Sequence, residues 1–386
     1  MDRDARVRHR ARTRTTDACV WAALAGLAAA ASLSCGGAGA LPAGDYSPRP
    51  FAQLAVPPAR ARAAREDALA RARVWMEPEV PVERAGFLHN PGGPHALPDE
   101  LACRYYEHLT PGSTPKVYCI LPGGEVIKVK YGAYDPEIQA ELAGARLARA
   151  LGFGADEMSY VRTVRCFGCP APQGAHWRER LLALGPALTF HDVSVERRFP
   201  GKEVMAAEGE RGWGFYELAK IRAEMGGSSR AEVDALRLFA VLLGHWDNKA
   251  ENQRLVCLPG ADRPDGTCAS SFAFIQDLGA TFGPPKVDLE GWRGTPVWAD
   301  AATCRVSLKS LPFAGGTFPD TTVSEAGRAF LAGLLDRLTP DQRRDLFVGA
   351  HFSDYVGQSA EGRDVLAWVS ALDDKIRQIR DRPPCP

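Results

Sequence analysis

The sequence predicts an α+β fold in two lobes, strand-rich with one helix over residues 101–200 and helical over residues 201–386. Short β-branched and aromatic runs separated by Gly/Pro turns crowd into residues 103–199, and a single helix-period stretch interrupts them. Beyond Gly201 the apolar residues switch to helical spacing. With 45% hydrophobic and 24% charged residues, the 386-residue chain is globular, which excludes collagen-like, coiled-coil and mainly disordered proteins. Basic and acidic residues number 47 each, so charge gives no reason to expect a nucleic-acid partner.

Residues 1–16 carry six arginines against Asp2 and Asp4, and residues 18–34 are an apolar run of 17. Basic, apolar and then small residues is the order of a secretory signal, so residues 1–40 read as an export leader. Two exits compete. Ala38-Gly39-Ala40 is a small-residue cleavage site, whereas Ser32-Leu33-Ser34-Cys35 is similar to a lipoprotein box, its leucine one place nearer the cysteine. The first gives a periplasmic or cell-surface protein; the second gives an outer-membrane-anchored lipoprotein attached through lipidated Cys35. Without residues 1–40, 41 basic and 44 acidic side chains remain, so the basic excess belongs to the leader.

Export gives the cysteines a reading. Eight lie beyond the leader, and an even count in an oxidising compartment reads as disulfides. Local spacing favours Cys103 with Cys119, which flank a hairpin, and Cys257 with Cys268, which close a loop of turn formers. Cys166-Phe-Gly-Cys169 has the spacing of a disulfide, a zinc knuckle or a redox pair, and all three stay open.

Residues 41–100 hold ten of the 29 prolines and read as a linker outside the packed core, with one solvated helix over residues 59–75. CRYYEHL (103–109), KVYCIL (116–121) and EVIKVKY (125–131), separated by Pro/Gly turns, predict three antiparallel strands. Asp135 as cap and Pro136 as first helical residue open a helix with Ile138, Leu142, Ala145 and Ala148 on one face, and Gly152 stops it. YVRTVRC (160–166) and DVSVERRF (192–199) read as two further strands. Helices follow over residues 212–225, 230–244, 324–338 and 364–379, with strands at residues 253–258 and 272–276 between them.

The chemistry sits between those two later strands. His245-Trp246-Asp247-Asn248-Lys249-Ala250-Glu251-Asn252 follows the strong helix 230–244, and the strand 272–276 runs into Asp277-Leu278-Gly279. Phosphoryl transfer needs this inventory. One carboxylate positions or deprotonates the attacking hydroxyl, while an amide and a second carboxylate hold a divalent cation on the phosphates.

HWDNKAEN resembles the protein-kinase catalytic loop HRDLKPEN at five of eight positions, and Asp-Leu-Gly resembles the metal-binding Asp-Phe-Gly. Gly244-x-x-Asp247-x-x-x-x-Asn252 is similar, too, to the pattern of HipA-type, phosphoinositide and secretory-pathway kinases. Asn252 and Asp277 are 25 residues apart, about a dozen more than in kinases, and the Cys257–Cys268 loop takes up the excess. The resemblance spans residues 100–380, sharply at the two motifs and loosely elsewhere. It implies an atypical, bilobal protein-kinase-like fold. Asp247 would be the base, Lys249 a neutraliser of γ-phosphate charge, and Asn252 and Asp277 the metal ligands. Lys130, which precedes an aromatic–Gly turn, would anchor the phosphates, with Lys128 as the alternative. Glu141 would hold that lysine, with Glu137 one turn earlier as the alternative. The departures are also plain. The strand-connecting loop 110–116 has Gly112 alone in place of GxGxxG, leaving backbone amides or Lys116 to cover phosphates, and no Ala-Pro-Glu follows Gly294-Thr295-Pro296-Val297-Trp298.

The resulting expectation is an exported ATP-dependent phosphotransferase using Mg²⁺ or Mn²⁺ and acting on a hydroxyl of an unidentified protein or small molecule. Two alternatives stand beside it: AMP transfer on the same fold, and a non-catalytic kinase-fold surface binding module.

Overall fold

The computed structural model describes residues 40–93, 96–110, 112, 114–171, 185–206, 211–312 and 316–386. Residues 1–39 of the leader, with the lipoprotein-like box and all of the cleavage site but Ala40, lie outside these residues. Helix α1 (Pro58–Ala70) starts on a proline, whose fixed φ suits a first helical turn, and β1 (Ala72–Arg73) follows at once. Ala61, Ala64, Ala68 and Leu69 face inward, and Val74, Val82 and Phe87 are buried after them. The reading of residues 41–100 as a linker outside the core is therefore corrected. Alanines let this segment lie close, and the rest of the chain takes up its backbone groups. Ser271 Oγ donates to the Ala68 carbonyl at 2.5 Å, and Gln342 Nε2 donates to those of Val82 and Ala85 at 2.7 and 2.8 Å. The prolines shape a strap.

Five strands follow: β2 (Glu100–Tyr106), β3 (Lys116–Ile120), β4 (Val126–Lys130), β5 (Glu157–Phe167) and β6 (Ala187–Arg197). They close into a barrel in the order β2-β3-β4-β6-β5. Every pair is antiparallel except β2 with β5, which run parallel with Cys103 opposite Cys166. Alternate residues, among them Val117, Cys119, Ile127, Val129, Val161 and Val193, fill the interior. The disulfides are Cys103–Cys119, Cys166–Cys169, Cys257–Cys268 and Cys304–Cys385. The two pairs favoured by spacing are present, and Cys166-Phe-Gly-Cys169 closes on itself. Such a set belongs to an oxidising environment.

Between β4 and β5 lies α2 (Glu137–Ala150), where Asp135 Oδ1 accepts from the Glu137 amide at 3.0 Å. Beyond the barrel, β7 (Lys202–Glu203), β8 (Gln253–Cys257) and β9 (Ser271–Ile275) join β1 in a sheet of order β1-β9-β8-β7. Helix α3 (Arg230–Leu243) is capped by Ser229 and ends at Gly244, whose φ of 69° turns the chain into His245. Then come α4 (Leu289–Gly294), the pair β10 (Arg305–Val306) and β11 (Thr321–Thr322), α5 (Glu325–Asp336), α6 (Pro340–Gly349) and α7 (Val365–Arg380). Residues 212–225, read as one helix, form two short 3₁₀ turns, Phe215–Lys220 and Ala223–Met225. Gly212 and Gly226, both at positive φ, bracket them. The mixed architecture is α+β. Leu41–Pro386 makes one compact unit, and among the described residues no helix is long and apolar enough to cross a membrane.

Candidate active site

The period of two along β4 sends Lys128 and Lys130 out of the same face, and both are buried. Their partners differ. Lys130 Nζ contacts Glu141, lies 3.2 Å from Glu137 Oε2 and reaches Asp277 Oδ1 at 3.0 Å. One ammonium thus gathers a strand, a helix and the loop after β9. Lys128 pairs instead with Glu196 on β6, directly opposite it in the register. Both glutamates weighed in the sequence touch Lys130, with Glu137 also held by Lys286 at 2.7 Å.

Asp277 sits at φ 46°, a left-handed conformation unusual for an aspartate, which aims its carboxylate at Lys130 rather than along the strand. Burial works against its charge, but the Lys130 and Lys128 ammoniums hold its carboxyl far below the usual range. Burial pushes Glu141 up to about 8, with the Lys130 ammonium pulling the other way. Leu278 packs on α2, where a Cβ placed on Gly144 meets its Cβ at 3.1 Å. A Cβ on Gly279 would meet Glu137 Cβ at 2.8 Å, so this loop approaches α2 only with glycine there.

The other half comes from residues 245–252. Asn252 Nδ2 donates to the Asp247 carbonyl at 2.7 Å, which leaves its Oδ1 as the free ligand atom. The Asn252 carbonyl accepts from the Gln276 amide at 3.0 Å, tying this loop to the residue before Asp277. Lys249 Nζ lies 2.9 Å from Asp247 Oδ1, and that hydrogen bond raises the lysine's pKa. Asp277 also acts on Lys249, so the two loops share one electrostatic site. His245 is fully buried, and burial lowers its pKa to about 4 against the pull of Asp247 and Asp277. A neutral imidazole beside Gln253 Nε2 at 3.2 Å is a structural part, not an acid or base.

The structure therefore brings Lys130, Glu141 and Asp277 into contact, and ties Asp247, Lys249 and Asn252 together beside them. The oxygens of Asn252 and Asp277 are the hard donors a magnesium or manganese ion takes, and Asp277 is held ionised for it. That donor set fits the metal.

Several supporting residues escaped the sequence reading. Asn248 is buried and bonds four ways. Its Nδ2 donates to the His245 and Trp246 carbonyls at 3.0 and 3.1 Å, and its Oδ1 accepts from the Thr317 and Phe318 amides at 2.6 and 2.8 Å. Gly212, at φ 75°, lies against the Ala250 and Gln253 carbonyls with no room for a Cβ. Trp246 Nε1 donates to Pro285 O at 2.7 Å, beside the Lys286 that reaches Glu137. Asn248 has a sequence signal, an amide between the charged Asp247 and Lys249. The rest depend on partners far away in the chain.

No family model and no curated protein matches the chain. Among solved structures, it is similar to the crystal structure of a Helicobacter pylori proinflammatory kinase, CtkA, with a TM-score of 0.42 and 10% sequence identity over 72% of this chain and 95% of that one.

Proposed function

We propose that this chain is an exported phosphotransferase of atypical kinase-like fold, moving the γ-phosphoryl group of ATP to a hydroxyl. One observation carries the reading: Lys130 and Glu141 meet Asp277, 147 residues beyond Lys130, at one ammonium beside the loop of Asp247 and Asn252. In the reaction the acceptor oxygen bonds to the γ-phosphorus as the bond from phosphorus to the β-bridging oxygen breaks, and ADP leaves. Asp247 takes the hydroxyl proton. Lys249, next to Asp247, balances charge on the transferred group, and Lys130, held by Glu141 and Glu137, anchors the inner phosphates. Asn252 and Asp277 would hold Mg²⁺ or Mn²⁺, which when bound neutralises phosphate charge.

The four disulfides support an extracytoplasmic site of action, with the chain released after Ala40 or held to a membrane by lipidated Cys35. The test is calorimetric. Disulfide-intact protein should bind ATP with Mg²⁺, and Asp277→Ala should abolish the metal-dependent part. If wild type binds no nucleotide with either Mg²⁺ or Mn²⁺, the enzyme reading fails and a binding module takes its place.

A further inference from the structure

Lys116 opens β3 and stands directly opposite Lys130 of β4 in the antiparallel register, so both side chains leave the sheet on one face. Their surroundings are unequal. Lys130 is matched by Glu137, Glu141 and Asp277. Lys116 makes no ion pair among the described residues, although it is half-buried. Its ammonium is tucked under the turn between β2 and β3, where a Cβ on Gly112 would lie 3.1 Å from Lys116 Nζ. Gly112 also has φ 92°, a backbone conformation that strains other residues, so this turn keeps its shape beside the ammonium only with glycine there. Burial depresses the Lys116 pKa, and Lys130 adds to the effect while Asp277 and Glu137 oppose it. Those three groups belong to the site already described. A half-buried ammonium on the same face as Lys130, with no ion pair among the described residues, is placed to take an anion from a ligand.

We propose that Lys116 binds the outer phosphates of the nucleotide from the turn side and makes the site select di- and triphosphates over the monophosphate. The inference rests on the phosphotransferase reading and extends it. A side-chain cation does at this turn what a run of glycine amides does in GxGxxG loops. Lys130 is matched by three carboxylates, whereas Lys116 makes no ion pair among the described residues.

The experiment titrates ATP, ADP, AMP and adenosine, with Mg²⁺, into the disulfide-intact full chain and its Lys116→Met, Lys116→Arg and Gly112→Ala variants. Lys116→Met should weaken ATP and ADP by about tenfold or more, the size of a lost charge-assisted contact, and leave AMP and adenosine within about twofold. Lys116→Arg should retain most of the ATP affinity. Gly112→Ala, which strains the turn beside the ammonium and crowds it without removing the charge, should show a loss of the same phosphate-selective kind and serves as the second variant should Lys116→Met melt early. Equal loss across all four ligands, or no loss in either variant, overturns the assignment of Lys116. Absence of any binding by wild type overturns the phosphotransferase reading itself, and this inference with it.

Discussion

Lys128 and Lys130 stand two residues apart on one face of β4, and sequence alternation treats them alike. Their partners separate them. Lys128 is committed to Glu196, a buried pair in which removing the cation strands a carboxylate. Lys128→Ala should therefore cost about 3 kcal/mol of stability in denaturant unfolding. Its effect on Mg-ATP affinity should be far smaller than that of Lys130→Ala, which should weaken binding about tenfold or more in calorimetry. Equal affinity losses would move the anchor off Lys130. Asp247 makes the converse case. Among the described residues its carboxylate pairs with Lys249 alone, so Asp247→Ala should leave nucleotide binding near wild type while turnover falls by roughly 10²–10⁴, the range for a lost general base.

At the scale of elements, the strap ahead of the barrel braces the loop of residues 245–252 through Gly212. Arg65 of α1 donates to Glu217 Oε1 and Oε2 at 3.0 and 2.7 Å and to the Gly212 carbonyl at 2.9 Å. Gly212 in turn lies against the Ala250 carbonyl. Burial opposes the charge on Glu217, but Arg65 and the Gly214 amide lower its pKa to about 2. A depressed carboxylate contributes stability that is present above its ordinary 4.5 and lost as pH falls from there toward 2. The stability gap between wild type and Glu217→Gln should accordingly shrink across that window in thermal melts, and a gap that stays constant would refute this linkage. The β8–β9 loop gives a second test. A non-reducing peptide map should join Cys257 to Cys268, and Cys257→Ser should cost roughly 3 kcal/mol in the chain-entropy view of a loop this short.

Over the whole molecule, one apolar core runs from α1 and α2 through α3 to α7, and the polar site lies where β4, α2, the Asp247 loop and the Asp277 loop meet beside it. Lys130 comes from the barrel and Asp277 from the loop after β9, so the site is assembled only where the two meet. The last disulfide, Cys304–Cys385, and the bonds from Arg328 Nη1 to the Ile379 and Arg380 carbonyls at 2.7 and 3.1 Å fasten the final helix to the same body.

Much of this was legible in the chain itself. Alternation in residues 103–199 marked five strands, because a half-buried strand must alternate. Asp135-Pro136 and Gly152 marked the ends of α2, because caps answer to local backbone chemistry. The order of lysine, glutamate, HWDNKAEN and Asp-Leu-Gly marked the candidate site, because it resembles the order of kinase motifs. Only the tertiary structure decided the rest. Whether Lys128 or Lys130 meets Glu141 depends on how β4 registers with β6, and the parallel closure of β2 on β5 joins segments with no local signal. The Pro-rich strap proved to be part of the core because its alanines match grooves built by residues hundreds of positions away, and prolines forbid helix and sheet without forbidding burial. In the sequence Gly112 read as a turn, Gly212 as the start of a helix and Gly279 as part of a motif; their neighbours, an ammonium, a carbonyl and a glutamate, exist only once the chain has folded back on itself.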